Sequence, residues 1–468
     1  MSSDGLWGAW SQLAQLWWTR HGGLPAGGLA RERARLLVRY AREYSPFYRE
    51  RYAALPADAP ITGLPPVTKA ELMSRFDDWA TDRRVRLAEV KAFLADRSRI
   101  GGRFLGGYWV WKSSGTTGTP GVFLQDAPAM AVYDALVAAQ VQEARWNGRS
   151  AARLLAAGRA ALVVATGDHF ASIASWERMR AAAPSLEARS FSVLEPLETL
   201  VAGLDRYKPA FLAGYPSVLE LLAQEQEAGR LRIAPAIVWS GGEHLGAAAR
   251  RVIERAFDCP VMNEYGASEC LSIAHECAHG WMHLHSEWVM LEGVERDGGP
   301  TPPGRLSHTA LLTNLANWAQ PIIRYDIGDR VLAQGCACAC GSRLPAFRVA
   351  GRSERMLSLV SARGRAVPLA PLAVSTVVEE AAGDFPFQVA QTGPESLALR
   401  FAAPAGTAGL NAAKRNAARA LRSWLSKQSL PNVAVSHDPG APRLDPASGK
   451  LHAVVIENRG QTTIINPR

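Results

Sequence analysis

Apolar positions along this chain follow two rhythms. Short runs such as "YWVWK", "VFLQD", "AALVVAT", "PAFLAGY" and "PAIVWSGGE" collect β-branched, aromatic and small apolar residues between polar or Gly/Pro punctuation, and they read as strands. Between them lie longer stretches with apolar residues three and four apart, the spacing of an amphipathic helix. Strands separated by helices predict α/β layers with substantial sheet. Near the start, "RERARLLVRYAREYSPFYRERYA" has helical periodicity that breaks at Pro46. Ahead of it, Trp7, Trp10, Leu13, Trp17 and Trp18 could share one helix face. That face fits packing onto the protein's own surface better than a membrane interface, because Lys and Arg are nearly absent around it.

Around Gly351 the texture changes. After "FRVAGRSERMLSLV" come short strands, "PFQVAQT", "LALRFAA" and "VAVSHD", with one amphipathic helix near "AAKRNAARALRSWLSKQ" and a late Gly-Lys pair. The expected architecture is therefore a large multi-subdomain α/β domain over residues 1–351 and a small α+β domain over 352–468. A chain of 468 residues fits two or more domains.

Composition narrows the class. With 48% hydrophobic and 20% charged residues the chain reads as an ordinary globular protein. It has no apolar run of about 18 residues, so no spanning helix is expected. The N-terminus shows no basic leader with an apolar block, which points to the cytoplasm. The formal charge is +9, from 52 basic and 43 acidic residues. Residues 352–468 hold 14 Lys and Arg against 8 Asp and Glu, so the small domain suits an anionic partner: a nucleotide, a phosphorylated cofactor or an acidic carrier protein. Nothing resembling a zinc finger or an aromatic-interleaved basic cluster favours nucleic acid. A homodimer is compatible with the sequence.

Between the first two strand-like runs lies "SSGTTGTPG", residues 113–121. Gly115, Gly118 and Gly121 let the backbone approach a bulky anion, and Ser113, Ser114, Thr116, Thr117 and Thr119 add hydroxyl donors. The stretch lacks the Gly-Lys-Ser/Thr of a Walker loop and does not open a helix as a dinucleotide fingerprint does. Seen alone, it could equally be a hairpin connection.

Other stretches decide between the two. "SSGTTGTPG" resembles the phosphate-binding signature of the adenylate-forming superfamily of acyl-CoA synthetases, luciferases and peptide-synthetase adenylation domains. "WSGGEHL" at 239, "EYGASE" at 264, "YDIGD" at 325 with "GRSERM" at 351, and "SGK" at 448 follow in that family's order. "YAREYSPFYRERY", "HECAHGWMHLHSEWVMLE" and "CACGSRLP" resemble its phenylacetate-CoA ligase-like branch.

The resemblance implies roles residue by residue. Ser113, Ser114, Gly115, Thr116, Thr117 and Gly118 would wrap the β- and γ-phosphates of ATP, with donors offsetting the charge that grows as pyrophosphate leaves. Ser240, Gly241, Gly242 and Glu243 would flank the adenine, with Tyr265 stacking on it beside Gly266. Glu269 matches the magnesium-binding glutamate, and Ser268 would donate to the α-phosphate or the acid. Asp329 and Arg352 would grip the ribose hydroxyls. Lys450, in "DPASGKL", matches the catalytic lysine carried on a loop of a mobile small domain. Glu354 stands at the hinge between domains, where the family usually has Asp. The implied reaction is ATP-dependent activation of a carboxylic acid to an acyl-adenylate, followed by transfer to a thiol, coenzyme A first and the phosphopantetheine of an acyl carrier protein as the alternative. A silent scaffold of this fold is disfavoured by the intact Glu269, Asp329 and Lys450. Departures are Thr119 and Gly121 where many relatives carry a phosphate-loop Lys, Arg355 at the hinge, and Leu451 and His452 after the lysine.

Five of the six Cys lie between Cys270 and Cys340, a clustering that in a cytosolic chain favours metal over disulfides. Cys277, His283, Cys338 and Cys340 can supply the four ligands of a structural zinc site, with Cys336, Cys270, His275 and His279 as competitors and reduced thiols as the other reading. By resemblance the acyl pocket would be walled by Tyr133, Gly214, Tyr215 and Ala267, whose aromatic members favour an aromatic acid.

Overall fold

The computed structural model describes residues 16, 26–113, 121–143, 158–350, 356–383, 385–402, 409–444 and 451–457. The N-terminal helix Ala26–Tyr44 stops just before Pro46, and Pro46 opens a second helix, Pro46–Arg51, rather than simply ending the first. Ser45 explains both events, because its side chain accepts from the Tyr48 amide at the new N-terminus while proline fixes the first helical φ. Trp7, Trp10, Leu13, Trp17 and Trp18 lie outside the described residues.

The chain then forms an antiparallel hairpin, β1 (Trp109–Lys112) and β2 (Val122–Gln125), from the runs that flank the Gly/Thr stretch. A nine-stranded mixed sheet follows. Its strands are β3 (Ala160–Val164), β4 (Ala188–Ser192), β5 (Phe211–Gly214), β6 (Ile237–Gly241), β7 (Val261–Ala267), β8 (Cys270–Glu276) and β9 (Met282–Leu284). A separate antiparallel sheet, β10 (Val289–Val294), β11 (Thr309–Asn314) and β12 (Ile322–Asp326), interrupts it before β13 (Arg330–Ala333) and β14 (Ala346–Ala350) complete the large sheet. The order is β13-β14-β9-β8-β7-β6-β5-β3-β4. Strands β4, β3, β5, β6 and β7 run parallel, and β7, β8, β9, β14 and β13 alternate in direction.

The parallel half has the physics of a fully covered sheet. β3 is buried along its whole length, and helices Ala171–Ala182, Leu197–Tyr207, Pro216–Glu227 and Ala247–Phe257 provide the connections that parallel pairing demands. In such sheets ligands gather beyond the carboxyl ends of the strands. Here those ends carry Gly214-Tyr215, Gly241-Gly242 and Ala267-Ser268-Glu269.

The fold is thus α/β, with a smaller C-terminal α+β unit. That unit contains a hairpin, β15 (Leu357–Val360) and β16 (Ala366–Leu369), and a four-stranded sheet of β17 (Phe387–Gly393), β18 (Ser396–Phe401), β19 (Ala434–His437) and β20 (Val454–Ile456). Helices Pro371–Ala382 and Leu410–Lys427 cover it. Arg400 is buried at its centre, bonded to Asp438, Gln388 and both oxygens of Glu457, so one guanidinium ties together β17, β18 and the ends of β19 and β20. Trp424 Nε1 and Gln428 Nε2 donate to the Leu194 carbonyl at 2.8 and 3.0 Å, seating the small unit against the loop after β4.

Two apolar cores result. One joins the parallel sheet to the small unit, and the other gathers the N-terminal helices, the β1–β2 hairpin, helix Ala127–Glu143 and β10–β12. They are bridged at β7 and β8, where the pairing register shifts between Tyr265 and Ala267. Gly266 makes that irregularity feasible, because a Cβ there would sit 2.0 Å from the Leu271 carbonyl oxygen. Gly266→Ala is expected to lower stability by ~1–3 kcal/mol, read from the urea midpoint at unchanged slope. A wild-type midpoint would contradict the packing described here.

Candidate active site

A cavity of about 1910 Å³ opens at the carboxyl ends of the parallel strands. Single small-ligand pockets span roughly 300–1,000 Å³, so this one has room for two ligands end to end. Both cores contribute to its wall: Met130 and Tyr133 from helix Ala127–Glu143, Tyr215 and Trp239 from the parallel sheet.

One end is polar. Ser113 follows β1 and bonds Gly121 twice, its N–H donating to the Gly121 carbonyl while its Oγ accepts from the Gly121 N–H, both at 2.8 Å. A Cβ on Gly121 would collide with the Phe123 ring at 2.6 Å, so glycine is required to close this base of the Gly/Thr stretch. Ser114, Gly115, Thr116, Thr117 and Gly118 lie outside the described residues, as do Arg352, Glu354 and Lys450.

Glu269 stands across from Ser113, buried in the turn between β7 and β8. Its Oε1 accepts from the Tyr325 hydroxyl at 2.6 Å and lies 4.0 Å from Lys69 Nζ, which in turn reaches Ser113 Oγ at 3.4 Å. Burial, then the Glu269 carboxylate, push the Tyr325 hydroxyl far above its ordinary range, so it stays a donor. Trp111 Nε1 donates to the Ser268 carbonyl at 2.8 Å and Asn314 Nδ2 to the Glu269 carbonyl at 3.0 Å, pinning the turn from both sides.

Lys69, Tyr325, Trp111 and Asn314 escaped the sequence reading. Tyr325 sat inside the motif "YDIGD", read there only for its second Asp. Lys69 follows Thr68 in a Thr-x-x-Glu capping box, a signal legible as a helix start but silent about which cavity that start faces. It brings a cation to the base of a loop whose own expected Lys is missing.

The remaining residues divide. Gly241, Gly242, Gly266, Ser268 and Asp329 line the cavity, as do the acyl-pocket candidates Tyr133, Gly214, Tyr215 and Ala267. Gly242 has φ +81°, and a Cβ there would lie 3.1 Å from the Tyr215 ring. Burial raises the Tyr215 hydroxyl to about 12. Ser240 is fully buried within β6, and Glu243 accepts from the Ser217 N–H at 3.1 Å at the start of helix Pro216–Glu227, so these two brace the turn behind the cavity wall. Tyr265 donates its hydroxyl to Asp329 Oδ2 at 2.7 Å with its ring edge-on to Phe347, which couples the adenine-side and ribose-side candidates directly.

Cys277, His283, Cys338 and Cys340 come together, with ligand atoms all within 4.8 Å of one another. A tetrahedral zinc with ~2.3 Å Zn–S bonds needs sulfurs about 3.8 Å apart. Cys277 Sγ and Cys338 Sγ are 3.8 Å apart, and Cys340 Sγ lies 3.2 Å from His283 Nε2. His283 Nδ1 faces the Leu344 carbonyl at 3.2 Å, the outer contact that turns the other ring nitrogen toward a metal. Of the competitors, Cys270 is buried beside Tyr133, its thiol raised to about 12 by desolvation, and Cys336 is exposed. Among the described residues no helix is long and apolar enough to cross a membrane.

Residues 110–291, which build the hairpin, the cavity and the Glu269 turn, match the family model described as AMP-binding enzyme. Over 192 residues the chain is 27% identical to the phenylacetate-coenzyme A ligase of Thermus thermophilus, covering 39% of this chain and 41% of that one. Over 139 residues it is 26% identical to Protein CapK of Staphylococcus aureus, covering 29% of each. The chain thus spans less than half the length of these curated relatives. The fold is that of a 2-hydroxyisobutyryl-CoA ligase solved with 2-HIB-AMP and CoA in the thioesterification state, at TM-score 0.55 and 20% identity over 93% of this chain and 91% of that one. Over residues 110–291 the chain thus carries an AMP-binding enzyme segment, set in the fold of an acyl-CoA ligase.

One cavity group titrates abnormally. Burial raises the Glu264 carboxyl from 4.5 to about 7, against the opposing donors Ser272, Gln140 and Trp239. The folded state therefore holds a proton that the unfolded state releases, and stability falls as pH rises from about 4.5 to about 7. Glu264→Gln lacks this loss, so its unfolding temperature relative to wild type should climb over that interval. A constant difference would show that Glu264 titrates normally.

Proposed function

We propose that the protein couples ATP cleavage to activation of a carboxylic acid and passes the acyl group to a thiol, with an aromatic acid as substrate class and coenzyme A as acceptor. The observation that carries this reading is the junction in one cavity of a cationic and hydroxyl-bearing end, Ser113, Lys69 and Glu269, with a chamber walled by Tyr133, Tyr215, Gly214 and Ala267.

The acid's carboxylate oxygen bonds to the α-phosphorus of ATP as the bond from that phosphorus toward the β-phosphate breaks, and pyrophosphate leaves with the electron pair. Lys69 and the Ser113 loop oppose the charge that develops on the departing group. Glu269, oriented by Tyr325, would hold Mg2+, which supplies charge neutralisation at the phosphates. Asp329, fixed by Tyr265, accepts the ribose hydroxyls with Arg352. Lys450 reaches the attacking carboxylate and the α-phosphate, then withdraws as the small domain turns about Glu354. The thiol sulfur then bonds to the acyl carbon, AMP leaves, and the thiol proton passes to solvent. Cys277, His283, Cys338 and Cys340 would hold a structural zinc that clips β8 and β9 to the 338–340 turn.

A second acceptor, the phosphopantetheine of an acidic carrier protein, is favoured by helix Leu410–Lys427, whose 18 residues carry Lys414, Arg415, Arg419, Arg422 and Lys427 and no acid. Acid-dependent exchange of labelled pyrophosphate into ATP tests the adenylation, and adding coenzyme A or carrier protein separates the acceptors. Lys450→Ala should abolish exchange yet still make thioester from supplied acyl-adenylate. Exchange at the wild-type rate would remove that lysine from the mechanism. Metal analysis should find about one zinc per chain, lost together with several degrees of thermal stability in Cys338→Ser. A metal-free wild type of equal stability would contradict the zinc assignment.

A further inference from the structure

Glu264 has no part in the reaction as described, yet it lies on the cavity wall. It occupies β7 two residues before Gly266, both line the cavity, and it pairs across the sheet with Gly241 and His275. Its surroundings are built rather than incidental. Gln140 Nε2 lies 3.5 Å from Glu264 Oε1, 3.5 Å from Ser272 Oγ and 3.2 Å from His285 Nε2, and Ser272 and Trp239 oppose the rise of the carboxyl. Gln140 is 1% exposed and Ser272 is 1% exposed, so this polar cluster is sunk into an otherwise apolar chamber. Gln140 stands behind the lining and backs the carboxyl, whereas Glu264, Ser272 and Trp239 line the cavity itself. A buried carboxyl on a cavity wall is costly to leave short of hydrogen bonds, and a ligand that donates relieves that cost.

Resting on the adenylation reading above, we propose that Glu264, backed by Gln140, forms the floor of the acyl chamber and selects acids that carry a hydroxyl or amino donor at the end remote from the reacting carboxylate. Glu264 is three residues from Ala267, about 10 Å of strand, which matches the length of a para-substituted aryl acid. The carboxyl's rise to about 7 agrees with a group kept dry by burial. A donor from the acid joins Ser272, Gln140 and Trp239 and favours the ionised form. An unsubstituted ring instead covers the carboxyl and satisfies nothing, and sites of this kind reject the analogue lacking the donor far more strongly than an apolar pocket rejects an extra methylene.

The test is pyrophosphate exchange with matched acids: 4-hydroxyphenylacetate against phenylacetate, 4-hydroxy- and 4-aminobenzoate against benzoate, and 6-hydroxyhexanoate against hexanoate. In wild type the donor-bearing member of a pair should exceed its partner at least tenfold in kcat/KM. Glu264→Leu should erase or invert that order, while Glu264→Gln, which keeps the shape and an acceptor oxygen, should retain it in part. Exchange with no acid at all would sink the adenylation reading and the inference with it. Exchange that favours the unsubstituted acids in wild type, or an order unchanged in Glu264→Leu, would overturn the role of Glu264 alone. Where Glu264→Leu fails to fold, the wild-type order together with Glu264→Gln decides the matter.

Discussion

The contact between Gly266 and the Leu271 carbonyl is the constraint on which the site depends. Because no side chain can fit there, β7 turns sharply into β8 and presents consecutive residues to different parts of one cavity. Ser268 and Glu269 are delivered to the polar end and held by Trp111, Asn314 and Tyr325. Glu264 and Gly266 remain on the strand and wall the chamber. A few residues of one strand thus connect the two chemically different ends of the cavity, and a change of backbone at Gly266 moves both together.

The cavity exists because the molecule has two cores that meet along this strand. Tyr133 belongs to one and Tyr215 to the other, and each is locked in place from behind: Tyr133 by a bond from Asn314 Nδ2 at 2.8 Å, Tyr215 by the close approach of Gly242. Walls of this kind are preorganised, so binding does not have to order them. The small unit leans on the same framework. Leu372 and Thr376 of its helix Pro371–Ala382 reach the cavity, and two hydrogen bonds to the Leu194 carbonyl, from Trp424 and Gln428, join the Arg97–Glu380 and Arg365–Glu198 ion pairs and a shared apolar core in seating it.

Much of this was legible in the chain itself. The runs at 160, 211 and 237 are strands of the parallel sheet because they are apolar on both faces, a pattern only a doubly covered sheet produces. The convergence of Cys277, His283, Cys338 and Cys340 was legible from clustered Cys and His with short spacings, although the sequence left Cys336, Cys270, His275 and His279 as competitors. The sheet β10–β12 was not, because its strands are only partly buried at β10 and show no clean alternation. Lys69 and Tyr325 were hidden for a different reason: they converge on Glu269 from segments 200 and 56 residues away, and no local pattern encodes where a chain returns. Glu264 opened the motif "EYGASE", but its strand register, not its neighbours in sequence, turns it toward the chamber.

The central claim is that an acid's oxygen attacks the α-phosphorus of ATP at the Glu269 end of this cavity. With the best acid of an exchange panel labelled in its carboxylate with oxygen-18, the complete reaction with thiol should transfer one labelled oxygen to the phosphate of AMP, visible as a mass increase of about two units. Label recovered in inorganic phosphate alongside ADP would place the attack at the γ-phosphorus and contradict the account.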